Sequence, residues 1–214
     1  PVLLSKLVLA TLLFESLHIF FDGRTTLLPN ASALQISTLF TFTLFLLDDF
    51  TKYFVHRALH SWPILWAFHR IHHTAESLTP LTVFRTHPIE AVIFSLRSTL
   101  VQAIAIASFL YFFGPRAELL TILGASIFLF IFNAAGSNLR HSHIWISYGN
   151  FLEQFFISPA QHQIHHSKNI KHLDCNFGTI LAVWDRIGST LILSKGEEGV
   201  QFGIRDLKKQ NHSL

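Results

Sequence analysis

Three short histidine runs constrain this chain more than any other feature. His56 and His60 stand in HRALH, His69, His72 and His73 in FHRIHH, and His162, His165 and His166 in QHQIHH. The spacings are HxxxH, HxxHH and HxxHH, and residues three and four apart share one face of a helix. Each run can therefore aim two or three imidazoles at one point if it is helical. Neutral imidazole ligates iron, zinc, copper and nickel. Eight such rings exceed the needs of one four-coordinate zinc and suit two metals. The bland alternative is surface histidine on polar helices. Three runs, two of them with identical spacing, argue against it.

Long apolar blocks alternate with these runs. Residues 2–21, 31–47, 89–113 and 117–135 are each long and apolar, and only 14% of the chain is charged. That balance fits a membrane protein. The expected architecture is all-α and integral to the membrane. About four transmembrane helices would carry a cytoplasmic helical cap that holds the histidines, in a single domain over 1–214. The first block contains Lys6 and Glu15 and reads as a retained segment rather than a cleaved signal. Residues 22–30 read as a turn-rich connection, and Gly114-Pro115-Arg116 as the turn of a helical hairpin. Pro63 disfavours helix in the residue before it. A helix carrying His56 and His60 should therefore end at Ser61-Trp62-Pro63, and a short helix from Ile64 should carry the second run. Residues 74–88 read as a loop, and the tail from Ser194, with Lys208 and Lys209, is polar. Glu15 and His18 suit a contact between helices, whereas Arg97 suits either snorkelling or a position facing the site. His212 stands alone in the tail.

This topology returns every histidine run to one side. Lys52, Arg57, Arg70, Arg140, Lys168 and Lys171 lie on that side, against Arg24 and Arg116 in the opposite loops. The positive-inside rule then makes the histidine face cytoplasmic. The net charge of +3 is small and dispersed, so nothing points to nucleic acid. Cys175 is the sole cysteine, which excludes an internal disulfide and a thiol-rich metal site. GxSxG, HExxH and a Gly-rich phosphate loop are all absent. Metal activation of oxygen, or of water, beside a membrane remains. Asp49 precedes His56 on roughly the same helix face and suits either an acceptor that orients a ligand or an interfacial charge.

The ordered motifs HRALH, FHRIHH, RTHPIE, SPAQHQIHH, NFG and WDR resemble those of the fatty acid hydroxylase and sterol desaturase superfamily over about residues 45–195. The resemblance implies an oxidoreductase: an integral-membrane, non-haem enzyme with two iron ions that hydroxylates or desaturates a lipid, such as a sterol or fatty acyl chain. Zinc can replace iron in purified protein. By the same resemblance His56, His60, His69, His72, His73, His162, His165 and His166 are metal ligands. His87 and His141 match further family histidines. Relatives carry a His-Ser-Asn motif after the last span; here Gly136-Ser137-Asn138 lacks the histidine, and His141-Ser142-His143 supplies one later. Either His141 or His143 is then the counterpart. Asn176 falls in the closing segment, and His172 lies beside the site or caps it. The implied partners are O₂, the lipid, the membrane and a separate electron donor, either a haem protein or a ferredoxin with its reductase. A non-enzymatic membrane metal-binding or metal-transport protein is the alternative. Transport sites lie near the bilayer midplane, whereas these histidines fall beyond the span ends. A zinc-dependent hydrolase would need fewer ligands and an open metal position.

Overall fold

The structure, a computed structural model, describes residues 2–21, 27–28, 30–194 and 199–204. Arg24, Lys208, Lys209 and His212 lie outside the described residues, as does most of the 22–30 connection. Among the described residues eight α-helices follow in order: α1 (Val2–Phe21), α2 (Ala33–Ser61), α3 (Pro63–His73), α4 (Pro88–Phe113), α5 (Leu119–Arg140), α6 (Gly149–Leu152), α7 (Pro159–His165) and α8 (Val183–Ile187). Short 3-10 turns lie between them, at Pro80–Phe84, Gly114–Arg116 and Ile170–His172. Among the described residues there is no strand, only the isolated bridges Phe156–Leu181 and Ser167–Phe202. The chain divides into two compact units, one of Pro1–Thr51 with Ile93–Ala134, the other of Lys52–Val92 with Ala135–Leu214.

The first unit is built from apolar stripes. Ile36, Phe40 and Leu44 recur every fourth residue on α2, as Ala105, Phe109 and Phe113 do on α4, and all six are buried in one core. Other faces of α2, α4 and α5 stay apolar while exposed, as Leu39, Phe42, Leu96, Leu100, Phe128 and Ile131 show. Helices apolar on every face belong in hydrocarbon. Among the described residues, Ala33–Ser61, Pro88–Phe113 and Leu119–Gly136 are long and apolar enough to cross a membrane. A shorter apolar helix, Leu7–Phe21, lies within α1. The expected four spans therefore stand at three by length and composition. Arg97 pairs with Asp48 at 2.9 Å and donates to Thr51 Oγ1 at 2.7 Å. A buried guanidinium needs such a partner, and removing one member of a buried pair costs about 3–5 kcal/mol.

The second unit is polar inside and carries the chemistry. α2 ends at Ser61 and α3 starts at Pro63, with Trp62 extended at φ −103° and ψ 122° between them. The break falls where the proline demands it. Ser158 caps α7, its hydroxyl accepting from Gln161 N while Gln161 Oε1 accepts from Ser158 N. Asp185 on α8 accepts from Phe177 N and Gly178 N at 2.8 and 2.6 Å and from Thr190 Oγ1. A Cβ at residue 178 would sit 2.7 Å from Asp185 Oδ2, so only glycine lets this backbone approach the carboxylate. Asn176, in left-handed backbone at φ 51°, donates to Gln161 O and Ile192 O and accepts from Ile192 N. It clamps α7 to the closing segment.

Candidate metal centre

Nine histidines gather in two groups inside the second unit. His56, His60, His69, His73 and His165 form one, and His72, His141, His162 and His166 the other; the ligand atoms within each lie within 4.8 Å of one another. A metal–nitrogen bond of about 2.0–2.1 Å keeps ligand nitrogens within roughly 4.2 Å of each other. Each group is therefore close to the spacing that an ion would impose. His69 Nε2 and His73 Nε2 are 3.2 Å apart, His72 Nε2 and His141 Nε2 3.1 Å, and His141 Nε2 and His162 Nε2 3.0 Å.

The grouping does not follow the sequence runs. The spacing suggests that each run converges on one point, but each HxxHH divides between two. In the first, His69 and His73 join the larger group and His72 the smaller; in the second, His162 and His166 join the smaller and His165 the larger. Helical geometry is the cause. Residues i and i+4 lie about 40° apart around a helix, whereas neighbours diverge by about 100°. The rings of His72 and His73 stand at 89°, and those of His165 and His166 at 88°. Each run thus gives a pair to one group and a single ring to the other. Stacking of His73 on His166, centroids 4.4 Å apart, joins the two groups through a shared wall.

Fixed oxygens orient the larger group. His56 Nδ1 donates to Phe177 O at 2.9 Å, and His165 Nδ1 donates to Cys175 O at 2.7 Å. A carbonyl only accepts, so these rings carry their proton on Nδ1 and turn a bare Nε2 inward. His69 Nδ1 donates in the same way to Glu90 Oε1 at 2.9 Å, and His60 Nδ1 lies 3.4 Å from Asp174 Oδ1. Buried nitrogens are left without a protein partner: His60 Nε2 and His165 Nε2 in this group, His72 Nδ1, His162 Nδ1 and both ring nitrogens of His166 in the other. Burial pushes His69 and His72 down to about 3 and also holds His73, His162, His165 and His166 well below the usual imidazole range. Neutral rings with inward lone pairs are the donor set that a divalent metal needs. The residues present fit two ions.

The remaining candidates take other roles. His141 belongs to the smaller group, whereas His143 is exposed and belongs to neither. His87 also lies outside both groups: its Nδ1 accepts from Ile89 N at 3.1 Å and its ring packs on Phe68. His172 O accepts from Cys175 Sγ, which anchors the turn beside His165. Asp49 is buried in the first unit; inside the second unit, Glu90 and Asp174 are carboxylates that meet grouped histidines. Sequence reasoning quoted Glu90 within RTHPIE but gave it no role. An acidic residue in the first turn of a helix is a common enough feature to hide it.

Comparison with known proteins sharpens the picture. The family described as fatty acid hydroxylase matches residues 41–190. An alkylglycerol monooxygenase of Caenorhabditis elegans is 27% identical over 157 residues, 73% of this chain and 28% of that protein. One from Danio rerio is 30% identical over 146 residues, 68% of this chain and 29% of that protein. An ornithine lipid hydroxylase of Rhizobium tropici is 29% identical over 143 residues, 66% of this chain and 38% of that protein. The chain thus spans about a third of the length of these curated relatives. No solved structure matches it significantly.

Proposed function

The chain belongs to the fatty acid hydroxylase family, and from that premise we propose that it is a membrane-bound oxidoreductase that hydroxylates or desaturates a lipid, using two iron ions, O₂ and electrons from a separate protein. The single observation that carries this reading is the collection of nine imidazoles into two adjoining buried groups. Bound iron would supply oxygen activation and the removal of hydrogen from an unreactive C–H bond. His56, His60, His69, His73 and His165 would hold one ion, and His72, His141, His162 and His166 the other. The Phe177 and Cys175 carbonyls and the Glu90 carboxylate keep protons on the outer Nδ1 atoms, which leaves the inner nitrogens as donors. Burial of the rings excludes water and keeps imidazole neutral.

In this reading four spans carry the histidine unit on the cytoplasmic side, an orientation supported by its basic residues. A transporter is less well supported, because no histidine of either group lies in the apolar first unit. Lipid profiling of cells with and without the full chain, under ¹⁸O₂, tests the reaction. A lipid that gains labelled hydroxyl, or loses two hydrogens only when the protein is present, is the expected result. Identical lipid profiles, from cells whose purified protein carries iron, overturn it.

A further inference from the structure

The two groups differ in access. The residues of the smaller group are buried throughout, whereas His56 and His60 of the larger are half-buried, the His60 side chain itself being 7% exposed. A cavity of about 390 Å³ is lined by His60, His73 and His165, all from the larger group. That volume is at the lower end for small-ligand pockets, which suits one stretch of a chain rather than a whole membrane lipid. Trp66, Ile170, Leu173 and Ile204 give the same cavity apolar walls, and the Trp66 ring lies 5.0 Å from His60 and 5.5 Å from His73. An alkyl segment fits such walls beside the rings.

Lys168 also lines this cavity and is held there by its own backbone and by a neighbouring segment. Lys168 N donates to Gln201 O at 2.8 Å, and the adjacent Ser167 bridges to Phe202. Gly203 then passes over the side chain: a Cβ at that position would lie 2.8 Å from Lys168 Cε. With φ at 107°, residue 203 is in backbone that only glycine adopts readily. The glycine therefore gives the lysine stem its room. Asp174 is the carboxylate of the cavity, and it faces His60 Nδ1. The Asp174 side chain is largely exposed, and Lys168 is the cation among the residues that line the cavity.

We propose that this cavity is the substrate site of the larger histidine group and that Lys168 selects alkyl chains bearing an anionic head, a carboxylate or a phosphate. This deepens the reading above and rests on it for the reaction, but binding itself needs no turnover. A charge-assisted contact is worth about tenfold in affinity. Octyl phosphate, octanoate, octanol and octyltrimethylammonium are titrated calorimetrically into metal-loaded full chain in a neutral detergent. One or both anions are expected to bind about tenfold tighter than octanol; which anion leads separates a phospholipid source from a fatty acid source. Lys168→Gln removes that preference at unchanged metal content, and Lys168→Arg keeps it. Gly203→Ala, which displaces the lysine without removing it, weakens the anions alone. Leu173→Trp fills the cavity and weakens all four ligands. Equal affinity for octanol and both anions overturns the proposal, as does a preference that survives Lys168→Gln. Anion selectivity without lipid oxidation in cells would instead overturn the oxygenase reading and leave this site standing.

Discussion

In the larger histidine group three rings hand an outer Nδ1–H to a fixed oxygen, on Phe177, Cys175 and Glu90. In the smaller group the Nδ1 atoms of His162 and His166 meet no protein acceptor, and only the Thr82 and Arg85 backbone acts on His72, without a hydrogen bond of normal geometry at Nδ1. The motifs are the same, but the supports are not. A ring whose outer proton is fixed has its tautomer and orientation set before metal arrives, and its basicity raised. A ring held by packing alone must settle both on binding. The larger group is thus a preorganised site with a cavity beside it, and the smaller is an enclosed one. Under the proposed function this difference would divide the labour, with one ion beside the substrate cavity and one behind it.

The largest effects come from breaking one group at a time. His165 and His162 sit on the same short helix but serve different groups. His165→Ala should remove about one metal per chain and spare the ion of the smaller group; His162→Ala should do the reverse. Lipid oxidation should fall below detection in both, while His18→Ala, in α1, leaves metal and activity intact. Metal analysis at matched protein abundance reads the outcome. If His165→Ala emptied both groups equally, the division read from the ring geometry would be wrong.

Removing a support rather than a ligand should have a smaller and one-sided effect. Glu90→Gln keeps the size of the side chain but withdraws the anion from His69 Nδ1. Metal affinity of the larger group should drop about 10–100-fold, with the smaller group unchanged. Titration with chelator-buffered metal, resolving the two binding steps, measures this. Equal loss in both steps would show that Glu90 acts through the fold and not through His69.

Much of this was legible in the sequence, and the failures have physical causes. Spacings of three and four residues identified the rings that share a helix face, and the Pro63 break was placed correctly between α2 and α3. The split within each HxxHH follows from the step of about 100° between neighbours, but which rings meet across α3 and α7 was not legible, because no local spacing encodes how those helices face one another. His87 and Glu90 sit in one motif, RTHPIE, but it is Glu90 that meets a grouped histidine. His87 turns to accept the Ile89 N–H at the start of α4, and Glu90, one turn in, reaches His69. Short polar side chains at helix starts compete for backbone donors, so a histidine there is an ambiguous signal. Asn176 was legible as part of the closing segment but not as a clamp, because its partners Gln161 and Ile192 lie far away in sequence.

The smallest effect should fall on both groups alike, because α7 serves both. Glu153 lies beneath its cap: Oε1 accepts from Ser158 Oγ and Ser147 Oγ at 2.8 Å, and Oε2 from Ser194 N at 2.8 Å. Burial works against ionisation here, but the hydrogen bonds from Ser194, Ser158 and Ser147 outweigh it and hold the carboxyl below its usual range. A carboxyl lower in the folded state than in the unfolded one contributes stability above its unfolded value, and that contribution is lost as pH falls through the folded value. Glu153→Gln removes the charge but keeps an acceptor oxygen, so the loss at neutral pH should be about 1–3 kcal/mol. The gap between wild type and variant should close as pH falls through the carboxylate range. Thermal unfolding of both proteins over that range, with metal content followed in parallel, tests the point. Both ions should be released together in the variant, at a lower temperature than in wild type. Release of one ion well before the other would show that α7 does not couple the groups, and that each is held by its own supports.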